Sequence, residues 1–235
     1  MFNNNQSLQQ NPRLSFTGWF TYGWLMALLS GIAPVMLPFM ARSQGKPVAA
    51  STLETVKAGI REAAEKTLTI SSSFVQEKQM SMIREKIVSK GKFYFKRERK
   101  LRWEYVQPYS YLIIIKDDRI SVRDDGKVNQ FSIQSNKVFR EVNRIILGSI
   151  RGTLLSDEKN FRFDCYETAA SWIVRLKPLS AGIRESLSEI VIWFDRNDYS
   201  VNHIELIEPK GDLTKINFTD RKTNQPVGDE MFLLP

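Results

Sequence analysis

Gly91-Lys92-Phe93-Tyr94-Phe95-Lys96-Arg97 leads through Glu98-Arg99-Lys100 into Leu101-Arg102-Trp103-Glu104-Tyr105 and on to Gln107-Pro108. Large apolar and charged residues alternate in its second half, so a strand there carries Leu101, Trp103 and Tyr105 on one face and Arg102 and Glu104 on the other. Phe93 and Phe95 share a face in the same way. The pattern predicts sheet, with the aromatic side turned inward and the charges outward.

Further runs rich in β-branched and aromatic residues predict strands over Thr69 to Glu77, Met82 to Ser89, Gly91 to Lys96, Leu101 to Tyr105, Tyr111 to Lys116, Arg119 to Arg123 and Lys127 to Gln134. A second series covers Asn160 to Glu167, Ser171 to Leu176, Glu189 to Asp195, Val201 to Glu208 and Leu213 to Arg221. Asp124-Asp125-Gly126 and Pro209-Lys210-Gly211-Asp212 are turn signals, and links this short imply antiparallel neighbours. The expected class is α+β, with a single large curved antiparallel sheet or open barrel. Ile113 and Ile115 share a face, but Leu112 and Ile114 are equally apolar, which leaves the orientation of that strand open.

Two segments break the pattern. Thr52 can cap a helix whose apolar positions Leu53, Val56, Ile60, Ala63 and Ala64 recur at helical spacing. Val138 to Ser156, with Phe139, Val142, Ile145, Ile146, Ile150, Leu154 and Leu155, predicts one or two short helices with an apolar side. Such helices either plug the sheet as ordinary packing or form a lid over a cavity.

Residues 1–45 stand apart. Leu14 to Ala41 holds no charge, follows Arg13, is dense in tryptophan, leucine and methionine, and ends at Ala41-Arg42-Ser43. This is the layout of a secretory signal peptide. An uncleaved inner-membrane anchor is the rival, since Gly18 to Met40 is long enough to span a bilayer, although Pro34 and Pro38 interrupt a continuous helix. Both place the domain over 46–235 outside the cytoplasm.

With 42% apolar and 26% charged residues the chain has globular proportions. The net charge of +8 is dispersed, apart from the run Lys96, Arg97, Arg99, Lys100 and Arg102, and does not point to nucleic acid. One cysteine, Cys165, and one histidine, His203, cannot make a disulfide or a Cys/His zinc cage. No cofactor, metal or catalytic group is indicated. Asp117, Asp118, Asp124 and Asp125 sit in turn contexts rather than as a paired acid and base.

The quoted stretch resembles the LolA-type outer-membrane lipoprotein carriers, in which a glycine-led apolar strand ends in a basic residue and a tryptophan strand follows. Ser73-Phe74-Val75-Gln76 and the closing Asn224, Pro226, Phe232 and Pro235 match as well. Glu98 departs from the family's usual proline. The resemblance implies a curved antiparallel sheet forming an unclosed β-barrel with a helical lid over a hydrophobic cavity, and a non-enzymatic periplasmic carrier that takes lipoprotein acyl chains from an inner-membrane release complex to an outer-membrane acceptor. A carrier of another envelope lipid and an anchored protein-interaction domain are the alternatives.

On this reading Phe93, Phe95, Leu101, Trp103, Tyr105, Ile113 and Ile115 line the acyl cavity, and Ile145, Ile146, Ile150 and Leu154 belong to the lid. The same residue types would fill a plain core. Arg97 matches the family's lid-fastening arginine, with carbonyls near Ile145 to Ile150 as its expected acceptors. The alternative is a solvated arginine in a basic run.

Overall fold

The computed structural model describes residues 45–82, 85–97, 99–133, 145 and 147–234. The charge-free run Leu14 to Ala41, Glu98, Ile146 and the first part of the Val138 to Ser156 segment lie outside these.

Twelve strands form one antiparallel sheet: β1 (Lys46–Pro47), β2 (Thr69–Gln79), β3 (Lys86–Lys96), β4 (Lys100–Gln107), β5 (Tyr111–Lys116), β6 (Arg119–Asp124), β7 (Lys127–Ser132), β8 (Phe161–Glu167), β9 (Ser171–Pro178), β10 (Glu189–Asp195), β11 (Val201–Ile207) and β12 (Leu213–Thr223). Their order is β1-β8-β9-β10-β11-β12-β2-β3-β4-β5-β6-β7, so the sheet is unclosed, with β1 and β7 as its edges among the described residues. Two meanders, β2 to β7 and β8 to β12, join where β12 pairs with β2.

Met82 to Ser89 and Gly91 to Lys96 are one strand rather than two, because Gly91 continues β3 instead of ending it. A Cβ at Gly91 would run into the Glu104 carbonyl and the Phe74 ring. Glycine permits that approach, and the register shifts there so that Lys90 faces Gln107 while Gly91 faces Tyr105.

The first helix, α1 (Ala50–Lys66), starts ahead of the expected cap: Ala49 is the N-cap and Thr52 lies inside. Its apolar stripe buries Val56 and Ile60. Helical backbone is present at 145 and 147–150. A 3-10 turn follows at Leu154–Ser156. Strand β7 ends at Ser132 rather than at Gln134. The short helix α2 (Ala181–Arg184), strand β1 and a closing 3-10 turn at Asp229–Phe232 were not legible in the sequence.

That last turn settles the orientation of β5. Pairings Tyr105 with Tyr111, Trp103 with Ile113 and Leu101 with Ile115 put Ile113 and Ile115 on the tryptophan side, here the inner face. Leu112 and Ile114 point the other way and are nearly fully buried, packed with Phe232 and flanked by Tyr94, Val227, Met231 and Leu234. Both sides of β5 are apolar because the chain's end covers the outer one. Lys96 and Lys100 hold Asp229 at 2.6 and 3.0 Å, and Arg102 donates to the Met231 carbonyl.

Candidate functional site

The register carries one face of the sheet across both meanders. Starting at Trp103, it passes through Phe93 on β3, Phe74 on β2, Phe218 and Ile216 on β12, Ile204 on β11, Ile192 on β10, Val174 on β9 and Cys165 on β8. Alternation makes this face largely apolar, with Ser72 and Gln76 of β2 as polar interruptions. Phe93, Phe95, Leu101, Trp103 and Ile115 are at most 5% exposed, while Tyr105, Ile113 and Phe218 remain partly accessible. The structure therefore brings together on one face all seven residues expected to line a cavity.

An aromatic cluster occupies the middle. Trp103 has ring centroids at 4.8 Å from Phe74, 5.3 Å from Phe93, 6.1 Å from Phe218 and 6.4 Å from Tyr105. Phe218, Gln76 and Ser72 also belong to this face and were not singled out from sequence, since β2 and β12 interleave polar residues and blur the alternation. The Tyr105 hydroxyl donates to Gln76 Oε1 at 3.0 Å. Burial pushes the Tyr105 phenol well above its ordinary range, and burial, reinforced by the Asp124 charge, does the same at Tyr111.

Helix α1 and residues 152–158 lie against each other. A side chain at Gly152, where φ is +66°, would come within 3.0 Å of Arg61 Cα and 3.2 Å of the Ile60 carbonyl, so only glycine fits this approach. Arg61 donates to Ser156 Oγ at 3.0 Å, and Lys57 pairs with Glu158 at 2.9 Å. The Lys57 ammonium also stands 5.0 Å over the ring of Phe163, an inner-face residue of β8, which places α1 on that side of the sheet. Of the four expected lid positions, Ile145 and Leu154 are buried and Ile150 is half-buried, while Ile146 lies outside the described residues.

Arg97 reaches helical carbonyls, but not those expected. Its guanidinium donates to Thr67 O at 3.2 Å, to Ala64 O at 2.8 Å and to Glu65 O, all at the C-terminal end of α1 rather than at 145–150. Ala64 O also accepts from the Thr67 amide at 3.2 Å, and this end of the helix carries the negative end of its dipole, so a cation is favoured there. Asn224 clasps the same end, accepting from the Leu68 amide at 2.7 Å and donating to the Lys66 carbonyl at 2.9 Å. Partial burial, together with the charges of Arg99 and Arg97, holds the Arg151 guanidinium below its usual range.

Cys165 and His203 occupy different faces. Cys165 is buried on the inner face, where desolvation pushes its thiol up to about 11. His203 lies on the outer face, with Nδ1 2.7 Å from Asn217 Oδ1 and its ring 4.5 Å from Trp193. They do not form a nucleophile and base pair.

The chain is similar to several solved structures. Among solved structures, an uncharacterized conserved protein from Thermus thermophilus superposes with a TM-score of 0.50 at 7% identity, covering 78% of this chain and 94% of the other. MucB superposes with a TM-score of 0.50 at 12% identity over 80% of this chain and 64% of its own; in Pseudomonas aeruginosa it is seen in complex with MucA. Mycobacterium tuberculosis lipoprotein LppX reaches 0.46 at 11% identity, over 77% of this chain and 99% of the other. No curated protein sequence matches the chain. Residues 65–234 match the family described as outer membrane lipoprotein carrier protein LolA, whose members are binding proteins rather than enzymes, and the chain belongs to that family.

Proposed function

We propose that this protein is an exported carrier that holds lipoprotein acyl chains against the inner face of the sheet, beneath α1 and the 147–156 segment, and delivers them toward the outer membrane. The observation that carries the reading is the largely apolar inner face, which runs from β8 to β5 with Ser72 and Gln76 of β2 as polar interruptions and with partly accessible Tyr105, Ile113 and Phe218 around Trp103. A sixteen-carbon chain in water costs on the order of 12 kcal/mol, so unaided passage between membranes is negligible and a shielded apolar surface is the remedy. Residues 1–45 serve as signal or anchor, the periplasm is the site of action, and an inner-membrane release complex and an outer-membrane acceptor are the partners the family supplies.

Arg97 acts as the latch on α1. Its bonds to the end of the helix favour the closed protein, an incoming chain displaces the helix, and reclosure favours release. The test is to purify the protein from the envelope and identify what accompanies it by mass spectrometry. Acylated lipoproteins are expected; glycerolipids alone would identify a carrier of another lipid, and a protein partner without lipid would overturn the carrier reading.

A further inference from the structure

We infer that Trp103 recognises the cargo's acyl carbonyl: its indole N–H donates a hydrogen bond to the ester or amide oxygen at the head of a bound chain. The inference rests on the carrier reading and narrows its substrate class from any greasy chain to one carrying a carbonyl.

Trp103 is 5% exposed, and its Nε1 is buried without a hydrogen-bond partner. The cluster around it offers Phe74, Phe93 and Phe218, rings without a polar atom. Tyr105 is the exception. Its hydroxyl lies close to the indole, but no hydrogen bond of normal geometry links the two. An aromatic edge is a poor substitute for an oxygen acceptor. An unpaired buried donor costs free energy in the empty protein, and a core position needing only bulk is served without that cost by phenylalanine.

Placement agrees with a ligand role. Trp103 is flanked in register by Phe93 and Ile113 at the centre of the inner face, where Ile113, Tyr105 and Phe218 are partly accessible. A chain lying along this face would bring the oxygen at its head within reach of the one unsatisfied donor of this aromatic cluster. A hydrocarbon or an ether has no carbonyl to answer it.

The test uses the chain purified as cells make it, with 15N-labelled tryptophan, and three twelve-carbon probes: monolauroyl glycerol, lauroyl ethanolamide and dodecyl glycerol ether. Trp103→Phe identifies the indole resonance by its loss. The ester and the amide should move that proton downfield and bind about tenfold more tightly than the ether, and Trp103→Phe should abolish the difference between them. Which of the two carbonyl probes binds more tightly tells an N-acyl amide from an ester. Equal binding of all three probes with an unmoved indole proton overturns the inference and leaves the carrier standing. If none of the three binds, the carrier reading fails first. Should the variant not fold, the indole protons of the unaltered chain still decide: one must move downfield with the ester and the amide but not with the ether, and if none does so the inference falls.

Discussion

The Arg97 guanidinium lies 2.8 Å from the Ala64 carbonyl and ties the β3–β4 turn to the end of α1. The bond joins the turn between two strands of the sheet to the helix laid on it, so opening one from the other must break it. Arg97→Leu should cost no more than about 1 kcal/mol in global stability, since the side chain is largely solvated. Amide exchange in the last turn of α1 should nevertheless quicken. Loaded protein should retain its acyl cargo longer and transfer it less completely to an acceptor, and unimpaired transfer in a purified assay would remove the latch from the mechanism.

Phe232 is 2% exposed against Leu112 and Ile114, so Phe232→Ala should destabilise the domain by about 3 kcal/mol. The loss should appear in urea melts, with binding of a hydrophobic dye to the uncovered outer face of β5. A melt unchanged from the parent would show that the closing turn is not needed there.

Hydrogen bonds from Lys96 and Lys100 hold the Asp229 carboxyl down at about 2. Its folded value lies below the unfolded value of about 3.9, so the stabilising effect is complete above that and is lost as the pH falls toward 2. Attachment of the C-terminal segment, followed by limited proteolysis with an acid-active protease, should therefore weaken between roughly pH 4 and pH 2. Asp229→Asn should abolish that pH dependence; a variant that keeps the full profile would assign it to other carboxylates.

Gly91→Ala should be disproportionately harmful for a methyl group, because the added carbon meets the Glu104 carbonyl and the Phe74 ring. A loss of about 2 kcal/mol is expected, within the range for overpacked cores. Relief by a second change, Phe74→Leu, measured in a double-mutant cycle, would locate the clash at the ring, and strict additivity would place it on the backbone alone.

Cys165 should resist thiol reagents in the native state. With its thiol raised to about 11 by burial, the thiolate is scarce at neutral pH. Labelling at pH 8 should be slow in buffer and fast in denaturant, whereas rapid native labelling would show that the inner face opens at β8.

The sequence by itself determined the sheet, its antiparallel order within each meander and the side of β4 that faces inward. These follow from short turns and from a two-residue alternation that is local covalent geometry. Phe93, Phe95, Leu101, Trp103 and Tyr105 were legible for that reason. The pairing of β12 with β2, the burial of Leu112 and Ile114 beneath Phe232, and the choice of α1 as the helix Arg97 holds were decided only by the tertiary structure. Each joins residues far apart in the chain. An arginine needs only unpaired carbonyls and an apolar surface needs only a cover, and no local pattern says which distant segment will provide them.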